Sequence, residues 1–409
     1  MNVKNIERAL DTKQAIRFAK EHINRLNLDH SIHTYKSSNK HINTTVVNIS
    51  NYDWLGGNLI GNGKGFGEQS LASALFETLE HYYYAEDAKN YEFTNLKIQE
   101  ILDRCPVLNK EFPTNYIHNM NIDEDIKCFG YKSFNKASEI FYPAFLINVD
   151  LNYTVDEKLN SVLKYVSNSG FAMGICFEEA AIHAINELLE RDALSMHYID
   201  SFINEEPRRI VKKSSLNEYL LMLVDVVEKT VGAEVEIVDI TSNLKIPSYM
   251  VYFKRSDFKI PIKGFGTSLI AEYALERALL ECLQAFHLYD IDLEIEDQQI
   301  LINFEEYPVY KRIALLDYNI NCVNVEMKTE NNNQYTVKEL LNIITEKLDS
   351  NNLHVYYRVI YDSNNVCCIN VIIPSIEKFY LVGLGMCVIP NDRGMERING
   401  GKNYNYSRT

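Results

Sequence analysis

One unit recurs three times in this sequence and restricts the folds open to it: a strand-like run, a glycine-rich stretch and a long helix. In the first copy Val46, Val47 and Ile49 suggest a strand, residues 56–67 are rich in glycine, and apolar spacing predicts a helix over about 69–85. In the second, residues 167–174 lead into a helix over about 177–199. In the third, strands at 235–240 and 248–255 precede Lys263-Gly264-Phe265-Gly266-Thr267-Ser268 and a helix over about 271–288. Lys64-Gly65-Phe66-Gly67 repeats the tetrapeptide that starts at Lys263, which suggests an internal structural repeat. Strands and helices alternate without a long Pro/Ser linker, so the expected fold is one compact α/β body.

Around these units, residues 1–45 are expected to form an N-terminal helical segment, with one or two helices inside 4–27. Residues 216–231 read as an amphipathic helix. Thr336 with Glu339 looks like a capping box opening a helix that ends near Leu348, strands are expected at 354–361 and 366–373, and residues 331–334 look like a surface loop.

Each of the three long helices gathers its polar residues on one arc when turned through about 100° per residue. On the first, Ser73, Glu77 and Glu80 lie opposite Leu71, Ala74, Leu75, Thr78 and Tyr82. On the second, Glu179, His183, Glu187, Glu190 and Arg191 lie opposite Ile182, Ile185, Leu188, Leu189 and Met196. On the third, Arg277, Glu281 and Gln284 cluster away from Leu275, Ala278, Leu279, Cys282 and Phe286, with Glu276 well outside the cluster.

A single such arc is what any solvated helix face shows. Three arcs on one cavity would bring five carboxylates together, and like charges so placed repel and raise one another's pKa. They call for cations. Hard oxygen ligands suit Mg2+, which commonly binds through carboxylates together with nucleotide phosphates, and Lys64, Arg191 and Arg277 are suited to phosphate oxygens. The Gly61-x-Gly63-Lys64-Gly65-x-Gly67 run has neither Walker A nor G-x-G-x-x-G spacing and reads as a tight structural turn. His183 reads as a polar residue supporting the site rather than as a proton carrier.

Composition narrows the partners. The net charge of −15 disfavours broad contact with nucleic acid or anionic lipid. Glu7, Asp11 and Arg17 interrupt the start of the chain, so it does not read as a signal peptide, and no apolar run approaches the roughly 20 residues that span a bilayer. A cytoplasmic location is the expectation. The eight cysteines form no C-x-x-C pair and are expected to be reduced thiols, with Cys367 and Cys368 pointing to opposite faces of a strand.

The segments Gly63-Lys64-Gly65 with Ala72-Ser73-Ala74-Leu75-Phe76-Glu77-Thr78-Leu79-Glu80-His81, Glu178-Glu179-Ala180 with Asn186-Glu187-Leu188-Leu189-Glu190-Arg191-Asp192-Ala193, and Ala274-Leu275-Glu276-Arg277 with Glu281-Cys282-Leu283-Gln284 resemble, in order, the three signature blocks of YcaO proteins. The resemblance covers roughly residues 45–380 and implies a YcaO-type ATP-binding catalytic domain over 46–409. It implies ATP and Mg2+ as cofactors, with Glu77, Glu80, Glu187, Glu190 and Glu281 holding magnesium. Lys64, Ser73, Glu179, Arg191, Arg277 and Gln284 would then contact ATP.

Three departures from the family pattern stand out: His81 where an Arg usually follows, Ile175 where an Asn often stands, and an ending, residues 403–409, without the proline-rich tail of many azoline-forming members. The implied activity is ATP-dependent activation of a peptide backbone amide. Ring closure by Cys, Ser or Thr in a ribosomally made precursor is the first expectation, thioamidation with sulfide the second, and a non-catalytic nucleotide-binding scaffold the third. The expected partners are the precursor peptide and a leader-binding E1-like protein, or a sulfur-delivery protein for thioamidation, with a homodimer left open.

Overall fold

The computed structural model describes residues 7–54, 57–120, 125–135, 137–148, 151, 159–319, 321–327, 335–363 and 365–400. Its first unit runs α1 (Thr12–Arg25), β1 (His30–Lys36), β2 (Ile42–Trp54), β3 (Gly57–Phe66) and α2 (Gln69–Asn90). The second contains β4 (Thr94–Leu96), β5 (Ile126–Ser133), β6 (Glu139–Pro143), β7 (Phe171–Gly174) and α3 (Phe177–Tyr198). The third contains β8 (Arg209–Val211), α4 (Glu218–Val231), β9 (Glu236–Asp239), β10 (Ser248–Phe253), β11 (Ile262–Thr267) and α5 (Ala271–Leu288). The chain continues through α6 (Ile291–Asn303), β12 (Val323–Val325), α7 (Val337–Asp349), β13 (Tyr356–Ser363) and β14 (Val366–Ile372), with shorter helices in the connections.

Helices and sheets are mixed throughout, in keeping with the expected α/β class. Among the described residues the strands form three sheets: β1-β2-β3, β4-β5-β13-β14-β7 with β6 added to β5, and β11-β10-β9-β8-β12. All pair antiparallel except β8 with β12. Each long helix buries its apolar stripe on the sheet that contains the strand preceding it. Ala74, Leu75 and Leu79 of α2 pack with Val47 and Leu59, Ile182, Ile185 and Leu189 of α3 with Cys367 and Ile369, and Leu275, Ala278 and Leu279 of α5 with Val251 and Ile262. Cys367 and Cys368 do face opposite sides of β14 and enter different hydrophobic clusters.

The N-terminal expectation needs correction. The Asp11 side chain accepts from the Lys13 and Gln14 N–H groups and starts α1 at Thr12 rather than near residue 4. The supposedly helical stretch up to 45 contains β1 and the start of β2. β1 is a polar edge strand, exposed along nearly its whole length, so no apolar alternation marks it in the sequence. The 331–334 loop and the 403–409 ending lie outside the described residues. The capping box at Thr336 and Glu339 is present.

The glycine runs differ from expectation in a way that builds the site. Gly61, Gly63, Gly264 and Gly266 are strand residues, not turn residues, and only Gly67, at φ +52, turns the chain into α2. A Cβ on Gly61 would lie 2.4 Å from both the Ala74 carbonyl and the Thr78 nitrogen, and one on Gly63 1.9 Å from the Ser70 carbonyl. Gly264 meets Ala278 and Cys282, and Gly266 meets Ala274 and Ala278, in the same pattern. Glycine therefore lets strand and helix backbones touch. The repeat is real at this level, but it equates Gly61 with Gly264, so the Lys-Gly-Phe-Gly echo is out of register with it.

Candidate active site

The close strand–helix approach sets several helix carboxylates against backbone N–H groups of, or next to, the strands. The Asn62 N–H of β3 bonds Glu77 of α2, and at the matching place in the third unit the Phe265 N–H bonds Oε1 of Glu281 at 3.4 Å. Met173 N–H donates to Glu80 at 3.2 Å, and Gly170 N–H to Glu187 at 3.2 Å. By the same correspondence Ser73 matches Arg277 and Glu80 matches Gln284.

The polar arcs of α2, α3 and α5 face one cavity of about 340 Å3. Lys64, Ser73, Glu77, Glu80, Glu179, Glu187, Glu190, Arg191, Arg277 and Glu281 all line it. Gln284, expected to join them, does not: one turn beyond Glu281, it is half-buried outside the lining. Glu276, expected to stand apart, borders the cavity while its carboxylate accepts from the Tyr219 hydroxyl of α4 at 2.8 Å. His81 and Ile175, two of the three departures, line the wall, and the His81 Nδ1 bonds the Ile60 carbonyl at 2.6 Å.

The charges inside are not balanced by the protein. Burial pushes the Glu80 carboxyl well above its ordinary range, and Glu187 and Glu77 push it further. Burial also raises Glu77, Glu187 and Glu190, the last with help from Glu281. Glu281 goes the other way: burial works against its charge, but the ion pair with Lys64 and the nearby Arg191 hold it low. His183 is driven well below its usual range by burial and by Arg277, Arg8 and Lys64, so it stands neutral.

Arg191 is within 3.9 Å of both Glu187 and Glu190, and its guanidinium lies 5.4 Å from the centre of the Tyr380 ring. Yet the Nε–H groups of Arg191 and Arg277 are buried and find no acceptor. Orphaned arginine donors beside crowded carboxylates fit a ligand carrying both cations and anionic oxygens, which is what a magnesium nucleotide supplies. Among the described residues no three His, Cys, Asp or Glu side chains converge tightly enough to form a metal site by themselves.

Sequence reasoning missed the contribution of the N-terminus. Nη1 of Arg8 pairs with Oε1 of Glu179 at 3.0 Å, the Ala9 N–H donates to Oε2 at 2.9 Å, and Arg8, Leu10 and Thr12 line the cavity. Buried Glu7 accepts from Ser268 Oγ at 2.6 Å and Asn186 Nδ2 at 3.1 Å. No periodicity could have flagged this short irregular segment. A larger cavity of about 1040 Å3 lies past the C-terminal end of α3, but its Arg209, Arg393 and Arg397 are each paired with a carboxylate.

A sequence profile described as YcaO cyclodehydratase, ATP- and Mg2+-binding, matches residues 62–377. The chain belongs to the YcaO family. It is an ATP-dependent enzyme of the cyclodehydratase class, with ATP and Mg2+ as cofactors. Solved structures share the fold. YcaO from Methanopyrus kandleri bound with AMPPCP and Mg2+ matches at TM-score 0.66 and 16% identity, over 94% of this chain and 96% of that one. A heterocyclase in complex with substrate and cofactor matches at 0.64 and 16%, over 90% of this chain and 53% of that one. The E. coli microcin synthetase McbBCD complex matches at 0.59 and 16%, over 85% and 88%. No curated protein matches the chain in sequence. Against the YcaO pattern, Arg8 lies outside the profile match, while His81 and Ile175 lie within it.

Proposed function

We propose that this YcaO enzyme uses ATP to activate backbone amides of a ribosomally made precursor peptide, closing Cys, Ser or Thr side chains into thiazoline or oxazoline rings. The observation that carries the reading is the cavity in which crowded glutamates on α2, α3 and α5 surround two arginines with orphaned donors. A heterocyclase with substrate and a microcin synthetase bound to pro-MccB17 are among the proteins that share the fold, which supports a peptide substrate. A leader-binding partner of the E1-like kind is part of the proposal, as is a cytoplasmic location. No helix among the described residues is long and apolar enough to cross a membrane.

In this reading Glu77, Glu80, Glu187, Glu190 and Glu281 hold magnesium, while Lys64, Ser73, Glu179, Arg191 and Arg277 orient the triphosphate and nucleoside. Arg8 joins them through Glu179. The bound Mg2+ supplies charge neutralisation at the phosphates. The side-chain nucleophile loses its proton and adds to the amide carbon, the oxygen so exposed takes the γ-phosphoryl group and releases ADP, and the C–O bond then breaks with loss of phosphate as the amide nitrogen gives up its proton and forms the ring C=N bond. The net change in the peptide is loss of one water per ring. The residues contribute position and charge rather than a covalent step.

The test is mass spectrometry of a Cys-, Ser- and Thr-containing precursor after incubation with the protein, its genomic partner, ATP and Mg2+, with phosphate release followed in parallel. Loss of water from the peptide is expected. Exchange of oxygen for sulfur when sulfide is supplied would move the assignment to thioamidation. ATP binding without any peptide change across candidate precursors would leave only a scaffold role.

A further inference from the structure

α6 is two-faced in an unusual way. Its inner side is held by few groups: Ile300 and Leu301 rest on the main hydrophobic core, Phe304 just beyond the helix is fully buried, and the Tyr289 hydroxyl bonds Asp297 at 2.9 Å. Turned through about 100° per residue, Ile291, Ile295 and Ile302 fall on one outward stripe, opposite Ile300. They are 65%, 58% and 63% exposed. The helix is well formed, with the Asp290 side chain capping Asp292 and Leu293 at 3.1 Å, so the stripe is a fixed surface.

The inner face is packed against a neighbouring segment. Gly385, at φ +86, lies so close to Ile300 that a Cβ there would be 2.6 Å from its Cγ1, and its neighbours Leu384 and Met386 are exposed. Large aliphatic side chains gathered on one surface mark an interaction site far more often than single exposed ones do. Residues 290–306 carry seven carboxylates and no Lys, Arg or His, and on the wheel Glu294 flanks the stripe on one side and Asp292 on the other. An apolar stripe with an acidic rim is complementary to a helix with an apolar stripe and a basic rim.

We propose that the outer face of α6 docks a basic amphipathic helix of a partner protein. A second copy of this chain is a poor occupant. Two-fold pairing through α6 would set this acidic rim against itself, and the chain as a whole carries −15. The inference is independent of the reaction proposed above.

The test uses the full chain and a fluorescein-labelled Leu/Lys amphipathic peptide of about five helical turns. Binding is read by anisotropy at physiological ionic strength, against a scrambled peptide of the same composition and a Leu/Glu counterpart. The Leu/Lys helix is expected to bind at least about tenfold tighter than either control, a difference of about 1.4 kcal/mol. Ile295→Ser with Ile302→Ser should remove that advantage and leave nucleotide affinity unchanged, which also reports that the variant is folded. Ile343→Ser, an exposed site on α7, should change nothing. Equal binding of the scrambled peptide, or an advantage that survives the double substitution, would overturn the proposal. So would light scattering that shows a dimer dissociated by the double substitution, since the occupant would then be a second copy.

Discussion

α2 carries carboxylates into two buried places, and the two are handled in opposite ways. Near its C-terminal end, Asp87 meets Arg358 of β13: Nη1 donates to Oδ1 at 2.7 Å, and Nη2 pairs with Oδ2. The Arg358 guanidinium also lies 3.7 Å from the Phe129 ring centre, and its Nε–H reaches the Tyr131 hydroxyl at 3.4 Å. Every charge there has its partner. Two turns earlier, Glu77 and Glu80 enter the cavity, where carboxylates crowd one another and arginine donors go unused. A balanced buried pair holds the fold together. An unbalanced cluster costs stability and keeps the capacity to bind a charged ligand.

The comparison can be broken first at the balanced site. Arg358→Met should cost about 3–5 kcal/mol in urea unfolding, because Asp87 would stay buried without its cation. A loss below about 1 kcal/mol, the worth of an exposed ion pair, would mean that the two places do not differ as described. At the cavity, Arg277→Met should lower ATP turnover about 100-fold, or about 2.7 kcal/mol, while costing less stability than Arg358→Met, because Arg277 eases Glu190 and Glu281 through longer-range attraction rather than through a bidentate pair. Wild-type turnover in that variant would remove Arg277 from the proposed nucleotide contacts.

The smallest effect concerns pH. A carboxyl whose folded pKa is raised binds more protons folded than unfolded, so stability is lost as pH rises from the ordinary carboxylate range through the raised value. Glu80 is raised in this way. Glu80→Gln without metal or nucleotide should therefore raise the melting temperature at pH 7.5 by roughly 1–2 °C and flatten its fall between pH 5 and 7.5. Saturating MgATP should stabilise the wild type more than the variant. An unchanged pH profile in Glu80→Gln would show that the repulsion in the cavity does not involve Glu80.

Much of this was legible in the letters. Helical periodicity is a local property, so the arcs bearing Glu77 and Glu80, Glu187 and Glu190, and Arg277 and Glu281 could be drawn before any of them had a neighbour in space. The helices begin as expected at Gln69, Phe177 and Ala271, although α2 runs on to Asn90 rather than ending near 85. The resemblance of the three blocks to YcaO proteins then said which arcs belong together. What could not be read was every relation between distant segments. The glycines looked like turn residues because sequence shows flexibility but not the helix backbone that forbids a Cβ at Gly61 and Gly63. Gln284 shares its helix arc with Arg277 and Glu281, yet the arc outruns the cavity, and only the position of α5 decides where the lining stops. Arg8 belongs to the site, with Glu7 anchoring the segment beside it, solely because residues 7–9 fold back against Asn186, Ser268 and Glu179. Local spacing fixed which side chains share a helix face; tertiary packing decided which faces meet, how closely, and which charges are left without a partner.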